Sequence, residues 1–287
     1  MRDNELCLGL ASMNCWRIAV SVGEVDAGAV RPPFLAIAAR NTGVESVLVS
    51  SSELPDIATD RESVEVPLLG GRITPGVVRV GDTVRRPQGP HSAFVHALLT
   101  HLERVRFDAA PRFLGIDRQG REILSYIDGF VPDDIEADMP DEQLATAAQV
   151  LRRFHDATAE SELAGGQEVV CHNDISPVNT VFVDGRPTAL IDFDMARPGP
   201  RIRDVSYGLF LWLNLGWDGP GPEEQRRRIR LWCDAYGLFD RDGLIAEVRA
   251  RVRETIERRR RDGAGAAGEW WHAQLAWIDQ HRHTIAP

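Results

Sequence analysis

Three oxygen-bearing side chains, Asp174, Asn179 and Asp192, lie close together in the sequence. They belong to two short segments, His172-Asn173-Asp174-Ile175-Ser176-Pro177-Val178-Asn179 and Ile191-Asp192-Phe193-Asp194. Carboxylate and amide oxygens are ligands that hard divalent cations prefer. A carboxylate beside such a cation can also accept the proton of an alcohol and orient it toward a phosphate. The two segments therefore predict phosphate chemistry directed at a hydroxyl group, provided that the fold brings them together.

The residues between the two segments predict a β-hairpin. Asp184-Gly185 stands between two runs of apolar and β-branched residues, which is a strong signal for a two-residue turn. Such a turn places Val183 opposite Arg186 and Asn179 opposite Leu190. The hairpin therefore connects the end of the first segment with the start of the second.

This hairpin would bring the oxygen-bearing side chains to one end. Asp192 lies just past the second strand, and neighbouring strands are about 5 Å apart. Asn179 and Asp192 could then share a divalent cation, with Asp174 on the loop that enters the hairpin. Taken alone, Asp174 would more often be a cap or an Asx-turn residue. The complete pattern of two segments and a hairpin favours the chemical interpretation.

All 33 basic residues are arginine, because the sequence contains no lysine. A Walker A loop and a Schiff-base mechanism both require lysine, so both are excluded. A site that grips nucleotide phosphates must therefore use arginine. The guanidinium group suits that task, since it is always charged and binds phosphate in a bidentate manner.

The net charge of −10 disfavours nucleic acid as a partner and is compatible with a cationic small molecule. The four cysteines are scattered without a C-x-x-C pair, which argues against a disulfide framework and a zinc site. No segment has the pattern of a signal peptide or the length and hydrophobicity of a membrane span. We therefore expect a cytoplasmic protein that binds neither nucleic acid nor a membrane.

The sequence pattern divides the chain into three parts. Residues 1–60 form an N-terminal extension of undefined structure, in which segments near 16–22, 34–38 and 44–49 have strand-like composition. Residues 61–127 show three strand patterns, a helix that begins near Ser92, and two further strand patterns. This order predicts a small antiparallel sheet with one helix packed on it. Residues 128–287 are mainly helical and contain the hairpin, with helices expected at 204–215, 222–236, 244–261 and 269–283.

Histidine and tryptophan in the helical part favour structural roles. His155 lies on the apolar face of a predicted helix without a catalytic partner nearby in the sequence, so we expect it to be a packing residue. Six of the seven tryptophans lie in the last third of the chain. That clustering favours core packing, and the lining of a substrate pocket is the alternative.

The two segments, together with the predicted five-strand, one-helix region, resemble the aminoglycoside phosphotransferase family, a kinase-like group that includes choline, homoserine and fructosamine kinases. The resemblance covers about residues 61–287. It implies an α+β, bilobal, protein-kinase-like fold. Residues 61–127 would form the N-lobe, a small antiparallel β-sheet with one helix, and residues 128–287 would form a mainly helical C-lobe. The resemblance also implies that ATP or GTP binds in the cleft with Mg²⁺.

The resemblance assigns roles to the residues of the two segments. Asp174 would be the catalytic base or would orient the acceptor hydroxyl. Asn179 and Asp192 would be Mg²⁺ ligands. His172 would brace the catalytic loop, and Asp194 would support the same loop through hydrogen bonds rather than bind the metal.

The resemblance also implies nucleotide-binding residues in the N-lobe. Gly70 and Gly71 would form the loop that covers the phosphates. Arg85 would grip the phosphates, and Arg86 is the competing candidate, because a one-residue shift along a strand reverses the face that a side chain occupies. The helix after the third strand has no acid in its first turns to pair with this arginine. Either His96 takes that part or the pairing is absent.

The resemblance implies an ATP-dependent phosphotransferase that moves the γ-phosphate to a hydroxyl of a small molecule, such as an aminoglycoside-like compound, an amino sugar or another small alcohol. Two alternatives stay open. One is a nucleotide-binding pseudokinase with a regulatory or scaffold role, which the irregular glycine loop would suit. The other is a metal-dependent hydrolase that would use His172, Asp174, Asp192 and Asp194.

The acceptor is expected to lie against the helical C-lobe. The candidates there, chosen by location alone, are Trp212, Asp218, Trp232, Glu269 and Trp270. Carboxylates beside aromatic faces suit a cation through ion pairing and cation–π contacts. These candidates are therefore compatible with a cationic acceptor.

Overall fold

The computed structural model describes residues 64–68, 76–134, 139–261, 263 and 267–287. Several predictions lie outside these residues. They concern the strand-like segments of the extension at 1–60 and the glycines Gly70 and Gly71.

The N-terminal part of the described chain is a five-stranded antiparallel sheet. Its strands are β1 (Val66–Pro67), β2 (Val78–Val80), β3 (Thr83–Arg86), β4 (Phe113–Ile116) and β5 (Glu122–Ser125). They are arranged in the order β1-β2-β3-β5-β4. Strand β3 therefore lies beside β5, and this pairing places Arg86 opposite Glu122.

One helix, α1 (Ser92–Arg104), packs on this sheet. Val95, Leu98, Leu99 and Leu102 recur at helical spacing, and all four side chains are buried in the core. The observed sheet and helix confirm the predicted order of three strands, one helix and two strands.

A glycine in the linker after β5 allows close contact with the hairpin that the sequence predicts around Asp184-Gly185. Phe130 and Phe182 exchange two backbone hydrogen bonds, of 2.8 Å and 2.7 Å. The preceding residue, Gly129, has φ +150°, and a Cβ there would lie 2.4 Å from Val181 Cγ1 and 2.7 Å from Phe182 O. Only glycine fits so close to the hairpin.

The predicted hairpin consists of β7 (Thr180–Val183) and β8 (Arg186–Leu190). A second two-stranded sheet, β6 (Val169–Cys171) with β9 (Arg197–Gly199), flanks the two segments of the motif. The predicted pairing of Val183 with Arg186 is confirmed.

The predicted pairing of Asn179 with Leu190 is wrong by one residue. Thr180 is the partner of Leu190, because the ladder shifts between Val181 and Phe182. Thr188 is the extra residue of this bulge, and its hydroxyl donates to Val181 O at 3.0 Å. The preceding residue is proline, which has no N–H to give to the ladder. The shift places Asn179 beside Ile191, and therefore next to Asp192.

The helical part contains α2 (Asp141–Thr158), α3 (Arg201–Trp212), α4 (Pro222–Tyr236), α5 (Leu244–Arg261) and α6 (Ala267–His281). Helix α2 packs on α4 and on the hairpin, while α5 packs between α3 and α6. The α+β architecture is as predicted, with a small antiparallel sheet followed by a mainly helical part. In the described segments, no helix is both long and apolar enough to cross a membrane.

Candidate active site

Asn179 and Asp192 meet at the open end of the hairpin. The Ile191 amide donates to Asn179 O at 3.0 Å, which places Asp192 directly after the last paired residue. Asp192 has φ +63°, in the left-handed region that costs a residue with a Cβ about 1–2 kcal/mol. Such strain is typical of a position that the surrounding structure fixes for function.

Asn179 joins the first segment to Asp174. Its Nδ2 donates at 2.9 Å to both the backbone oxygen and Oδ2 of Asp174. The Asn179 side chain is fully buried, and its Oδ1 has no hydrogen-bond partner among the described residues. A buried acceptor without a donor is costly, so this oxygen is suited to a cation.

The Asp192 carboxylate is also nearly buried, with a side-chain exposure of 10%. Burial and the charge of Asp194 together raise its pKa to about 7, although the charge of Arg86 opposes the rise. Such a carboxylate is stabilised in its ionised form by an added cation. Together with the free Oδ1 of Asn179, it forms a pair of oxygen donors that could hold a hard divalent cation.

Asp174 lies half-buried beside this pair. Burial raises its pKa, while the positive charge of Arg258 and the hydrogen bond from Asn179 lower it. Asn179 therefore fixes one carboxylate oxygen of Asp174. A carboxylate held in this way and destabilised by burial is a suitable proton acceptor.

His172 links the two segments. Its Nε2 lies 3.0 Å from Ile191 O, and its Nδ1 accepts from the Asp174 amide at 3.3 Å. Burial lowers the pKa of His172, so the neutral ring with the proton on Nε2 satisfies both contacts. The position agrees with a residue that braces the loop.

The sequence analysis did not identify Asp204, which holds the backbone of the loop that carries Asp174. This buried residue of α3 accepts hydrogen bonds from the backbone amides of His172 and Asn173, the second at 2.8 Å. His155 Nε2 lies 3.1 Å from Asp204 Oδ2, and His155 Nδ1 lies 2.6 Å from the Tyr236 hydroxyl. These hydrogen bonds outweigh burial, so the pKa of Asp204 is lowered. His155 is fully buried, as predicted for a packing residue.

His155, Asp204 and Cys171 lie close enough together to hold a metal ion. Both carboxylate oxygens of Asp204 already accept hydrogen bonds. Burial raises the pKa of Cys171, which keeps the thiol protonated and unsuited to binding a metal. The cluster is therefore a structural network.

Arg86 is the arginine that faces Asp192 and Asp194. It is only 4% exposed, and it bonds to Glu122 and to Asp194. Its Nη1 lies 3.6 Å from Asp192 Oδ1. The preferred sequence candidate was Arg85, but Arg85 Nε donates to Thr83 Oγ1 at 3.2 Å. The competing candidate, Arg86, is therefore the one placed at the site, since successive residues of a strand face opposite sides.

The missing acid of α1 is replaced by Glu122, which lies on the neighbouring strand β5. Glu122 is fully buried and bonds to Arg86 through one oxygen. His96 Nε2 of α1 lies 2.5 Å from the other oxygen, and the His96 ring stacks on Phe113 with centroids 3.8 Å apart. His96 therefore supports the acid from the helix. The sequence missed Glu122, because only the strand pairing brings it to Arg86.

Replacing Glu122 with Gln should lower the free energy of unfolding by about 2–3 kcal/mol, because a buried hydrogen bond to a charged group is lost. Urea unfolding measures this change. The matched control is Glu103→Gln, since the Glu103 side chain is 52% exposed and lies 3.8 Å from Arg112. An exposed pair contributes about 0–1 kcal/mol. Equal losses in the two variants would contradict the structural role given to Glu122.

A cavity of about 320 Å³ lies between the sheet and the hairpin. Its walls are mostly apolar and include Val84, Val95 and Leu124, whereas Arg86 and Asp192 lie among its polar residues. Ligand pockets commonly combine apolar walls with a few convergent polar groups. The cavity is therefore suited to a flat apolar group that carries anionic groups toward Arg86.

Two of the tryptophans expected to contact substrate are instead core residues. Trp212 is 1% exposed and Trp232 is 0% exposed, and their rings lie 6.1 Å apart. That expectation is corrected, because both side chains lie on the packed faces of α3 and α4. Core packing was the favoured interpretation of the tryptophan cluster.

The other substrate candidates do not form a cation site either. Asp218 accepts hydrogen bonds from Trp270 Nε1 and Gln274 Nε2, both at 2.9 Å. Its two oxygens therefore connect the loop after α3 to α6. Glu269 is exposed. In the described segments, no hydrogen bond or ion pair joins the Glu269 side chain to Asp218.

Two sequence comparisons identify relatives of this chain. Residues 79–254 match the family model described as "Phosphotransferase enzyme family". The trifolitoxin immunity protein of Rhizobium leguminosarum bv. trifolii is 33% identical over 254 residues, which cover 75% of this chain and 95% of that protein.

Solved structures share the fold. An ethanolamine kinase from Plasmodium vivax is 13% identical with a TM-score of 0.54, over 72% of this chain and 79% of the kinase. An aminoglycoside phosphotransferase from Streptomyces rimosus, in complex with ADP and streptomycin, is 16% identical with a TM-score of 0.50. That match covers 66% of this chain and 91% of the enzyme. The expected bilobal, protein-kinase-like fold is confirmed, while the lobe boundaries at 61–127 and 128–287 stay a prediction.

Proposed function

Because this chain belongs to the phosphotransferase enzyme family, whose members act on small molecules, we propose that it transfers the γ-phosphate of ATP to a hydroxyl group of a small acceptor. The single observation that carries the proposal is the meeting of Asp174, Asn179 and Asp192 beside the cavity that contains Arg86. Phosphoryl transfer needs positioning and charge neutralisation more than covalent chemistry, and these groups can supply both.

The nucleotide would bind in the cavity between the sheet and the hairpin. Its base would lie against the apolar walls, and its phosphates would extend toward Arg86. The guanidinium of Arg86 is held by Glu122 and Asp194, so its orientation is fixed before the nucleotide binds. A fixed fork of donors loses little entropy on binding a phosphate. The enzyme from Streptomyces rimosus was solved in complex with ADP, which supports a nucleotide as the ligand.

Mg²⁺ fits the same edge of the cavity. Asn179 Oδ1 and the Asp192 carboxylate would hold it, which would satisfy the buried oxygen and lower the raised pKa of Asp192. When bound, Mg²⁺ neutralises negative charge on the phosphate oxygens. Asp194 already bonds to Arg86, so we expect it to support the loop rather than bind the metal.

Asp174 would act on the acceptor. Its carboxylate would accept a hydrogen bond from the acceptor hydroxyl and take the proton as the oxygen attacks the phosphate. Asn179 and His172 hold Asp174 through the side chain and the backbone amide, respectively. These two hydrogen bonds thus hold the proton acceptor in place.

The test is Mg²⁺-dependent release of ADP with a panel of hydroxyl compounds. Asp192→Asn should lower turnover at least about a hundredfold, because several kcal/mol of charge stabilisation depend on the metal that Asp192 would hold. The matched control is Asp108→Asn, since the Asp108 side chain is 76% exposed and forms an ion pair with the exposed Arg153. Release of ADP that needs no divalent cation, or an Asp192→Asn variant with the activity of the control, would refute the proposal.

A second candidate function is toxin immunity, which the identity to the trifolitoxin immunity protein favours. Phosphorylation of a toxin would combine this role with the proposed reaction. Expression of the chain in a trifolitoxin-sensitive strain should then protect the cells, and Asp174→Asn should abolish the protection. Protection that survives this substitution would separate the immunity role from phosphoryl transfer.

A further inference from the structure

Four arginines surround the catalytic loop on the side of α5. They are Arg197, Arg203, Arg251 and Arg258. Arg203 Nε donates to Asn173 Oδ1 at 2.9 Å, and Arg251 Nη2 donates to Asn173 O at 3.2 Å. Asn173 is the residue directly before Asp174. The basic groups therefore lie against the loop that carries the proposed proton acceptor.

Among the described residues, one carboxylate is paired with this cluster. Glu254 bonds to Arg203 at 2.6 Å and to Arg251 at 2.8 Å. Arg197 and Arg258 form no ion pair within the part of the chain that the structure describes. Two of the four guanidinium groups therefore share one acidic partner, and the other two have none in the described segments, which leaves unpaired positive charge beside the loop.

Arg251 has unused binding capacity. Its side chain is 4% exposed, its guanidinium stacks 4.6 Å from the Tyr207 ring, and its Nε is buried without an acceptor among the described residues. A buried charged donor without a partner is costly, so an additional acceptor would stabilise the site.

Arg258 extends this positive surface. It lies seven residues after Arg251, which is two helical turns and therefore the same face of α5. Arg251 donates to the backbone oxygen of Asn173, so this face of α5 lies against the loop that carries Asp174. Arg197 is on β9, where its backbone pairs with Cys171 just before the catalytic loop. Burial lowers the pKa of Arg197, and the charges of Arg203 and Arg251 lower it further.

We propose that Arg197, Arg251 and Arg258 bind an anionic group of the acceptor, a carboxylate or a phosphate, and so place its hydroxyl at Asp174. This inference rests on the proposed function and replaces the cationic acceptor that the sequence suggested. Guanidinium groups bind both kinds of anion in a bidentate manner, whereas a cation would be repelled by the excess charge. None of the four arginines lines the cavity proposed for the nucleotide, so the basic surface is separate from that cavity.

The first experiment measures anion binding without any reaction. Protein saturated with Mg²⁺ and ADP is titrated with sodium sulfate by calorimetry at constant ionic strength, with sodium chloride as the compensating salt. Arg258→Gln and Arg197→Gln should each weaken sulfate binding about tenfold, the size expected for loss of a charged hydrogen bond. Arg260→Gln is the matched control, since Arg260 is an exposed residue of the same helix. Equal binding by all three variants, or no sulfate binding by the wild type, would overturn the inference.

The second experiment uses the reaction itself. Hydroxyl compounds are supplied as matched sets that carry a carboxylate, a phosphate, an amide or an amine, and release of ADP is measured. The carboxylate or phosphate form should be preferred by at least about tenfold, and Arg258→Gln should raise the KM of that form with little change in kcat. Comparison of the carboxylate and phosphate arms distinguishes the two anions. A preference for the amine or the amide would overturn the inference. If no compound promotes ADP release, the proposed function fails, while the sulfate titration still decides on the anion site.

Discussion

Replacing Asp174 with Asn is expected to lower kcat about a thousandfold and to leave nucleotide affinity unchanged. General base catalysis contributes about 10²–10⁴-fold, and an amide cannot accept the proton of the acceptor hydroxyl. The loop should keep its structure, because the Asn side-chain oxygen can still accept from Asn179 Nδ2 as Asp174 Oδ2 does. Steady-state release of ADP gives kcat, and titration with a non-hydrolysable ATP analogue gives the affinity.

The matched control for this variant is Glu269→Gln, which also neutralises a carboxylate in the helical part but alters an exposed residue. It should have the kcat of the wild type. If Asp174→Asn retained more than about a tenth of the turnover, the loss would be below the range of general base catalysis. Asp174 would then not be the proton acceptor. A large loss of nucleotide affinity would instead assign Asp174 to the nucleotide side of the site.

Replacing Asp204 with Asn is expected to lower the free energy of unfolding by about 3–5 kcal/mol, the cost of breaking a buried charged network. Asp204 accepts hydrogen bonds from the amides of His172 and Asn173 and contacts His155. An amide has one oxygen, so its NH₂ group would face a backbone N–H of the loop. Turnover should fall as well, because the backbone that positions Asp174 would lose its support. Urea unfolding and steady-state kinetics measure the two effects.

The pH dependence gives an independent check on Asp204. Its pKa in the folded protein is below the ordinary value of 3.8, so its stabilising effect is present above 3.8. This effect is lost as the pH falls through the lowered folded-state pKa. Asp204→Asn should therefore lose less stability than the wild type over that acidic range. The control is Asp156→Asn, whose side chain is 48% exposed and pairs with Arg152. A loss no larger than the roughly 0–1 kcal/mol of a surface pair would contradict the role of Asp204.

The hairpin shows what local sequence can predict. Asp184-Gly185 identified the turn and the pair Val183 and Arg186, because turn chemistry is local. The register beyond Val181 was shifted by the bulge at Thr188, which alternation of residues does not reveal. The predicted register was wrong by one residue. The bulge places Asn179 closer to Asp192 than a regular ladder would have done.

The supports of the site could not be predicted in the same way. Glu122 reaches Arg86 only through the pairing of β3 with β5, and Asp204 reaches the loop only through the packing of α3. These contacts join residues that are far apart in the sequence, so no local spacing identifies them. Trp212 and Trp232 show that location in the sequence alone does not identify a substrate pocket. Aromatic clustering predicted a packed core correctly, but the location of these residues alone suggested a substrate pocket that burial excludes.

The most direct test of the central claim is ³¹P NMR of the protein with Mg²⁺, ATP and the panel of hydroxyl compounds. The proposed function predicts that a phosphate monoester of one compound appears together with an equal amount of ADP, and that Asp174→Asn produces neither. Inorganic phosphate without a monoester would indicate the metal-dependent hydrolase. Bound ATP that stays intact with every compound would indicate the pseudokinase. Either result would contradict phosphoryl transfer to a hydroxyl group.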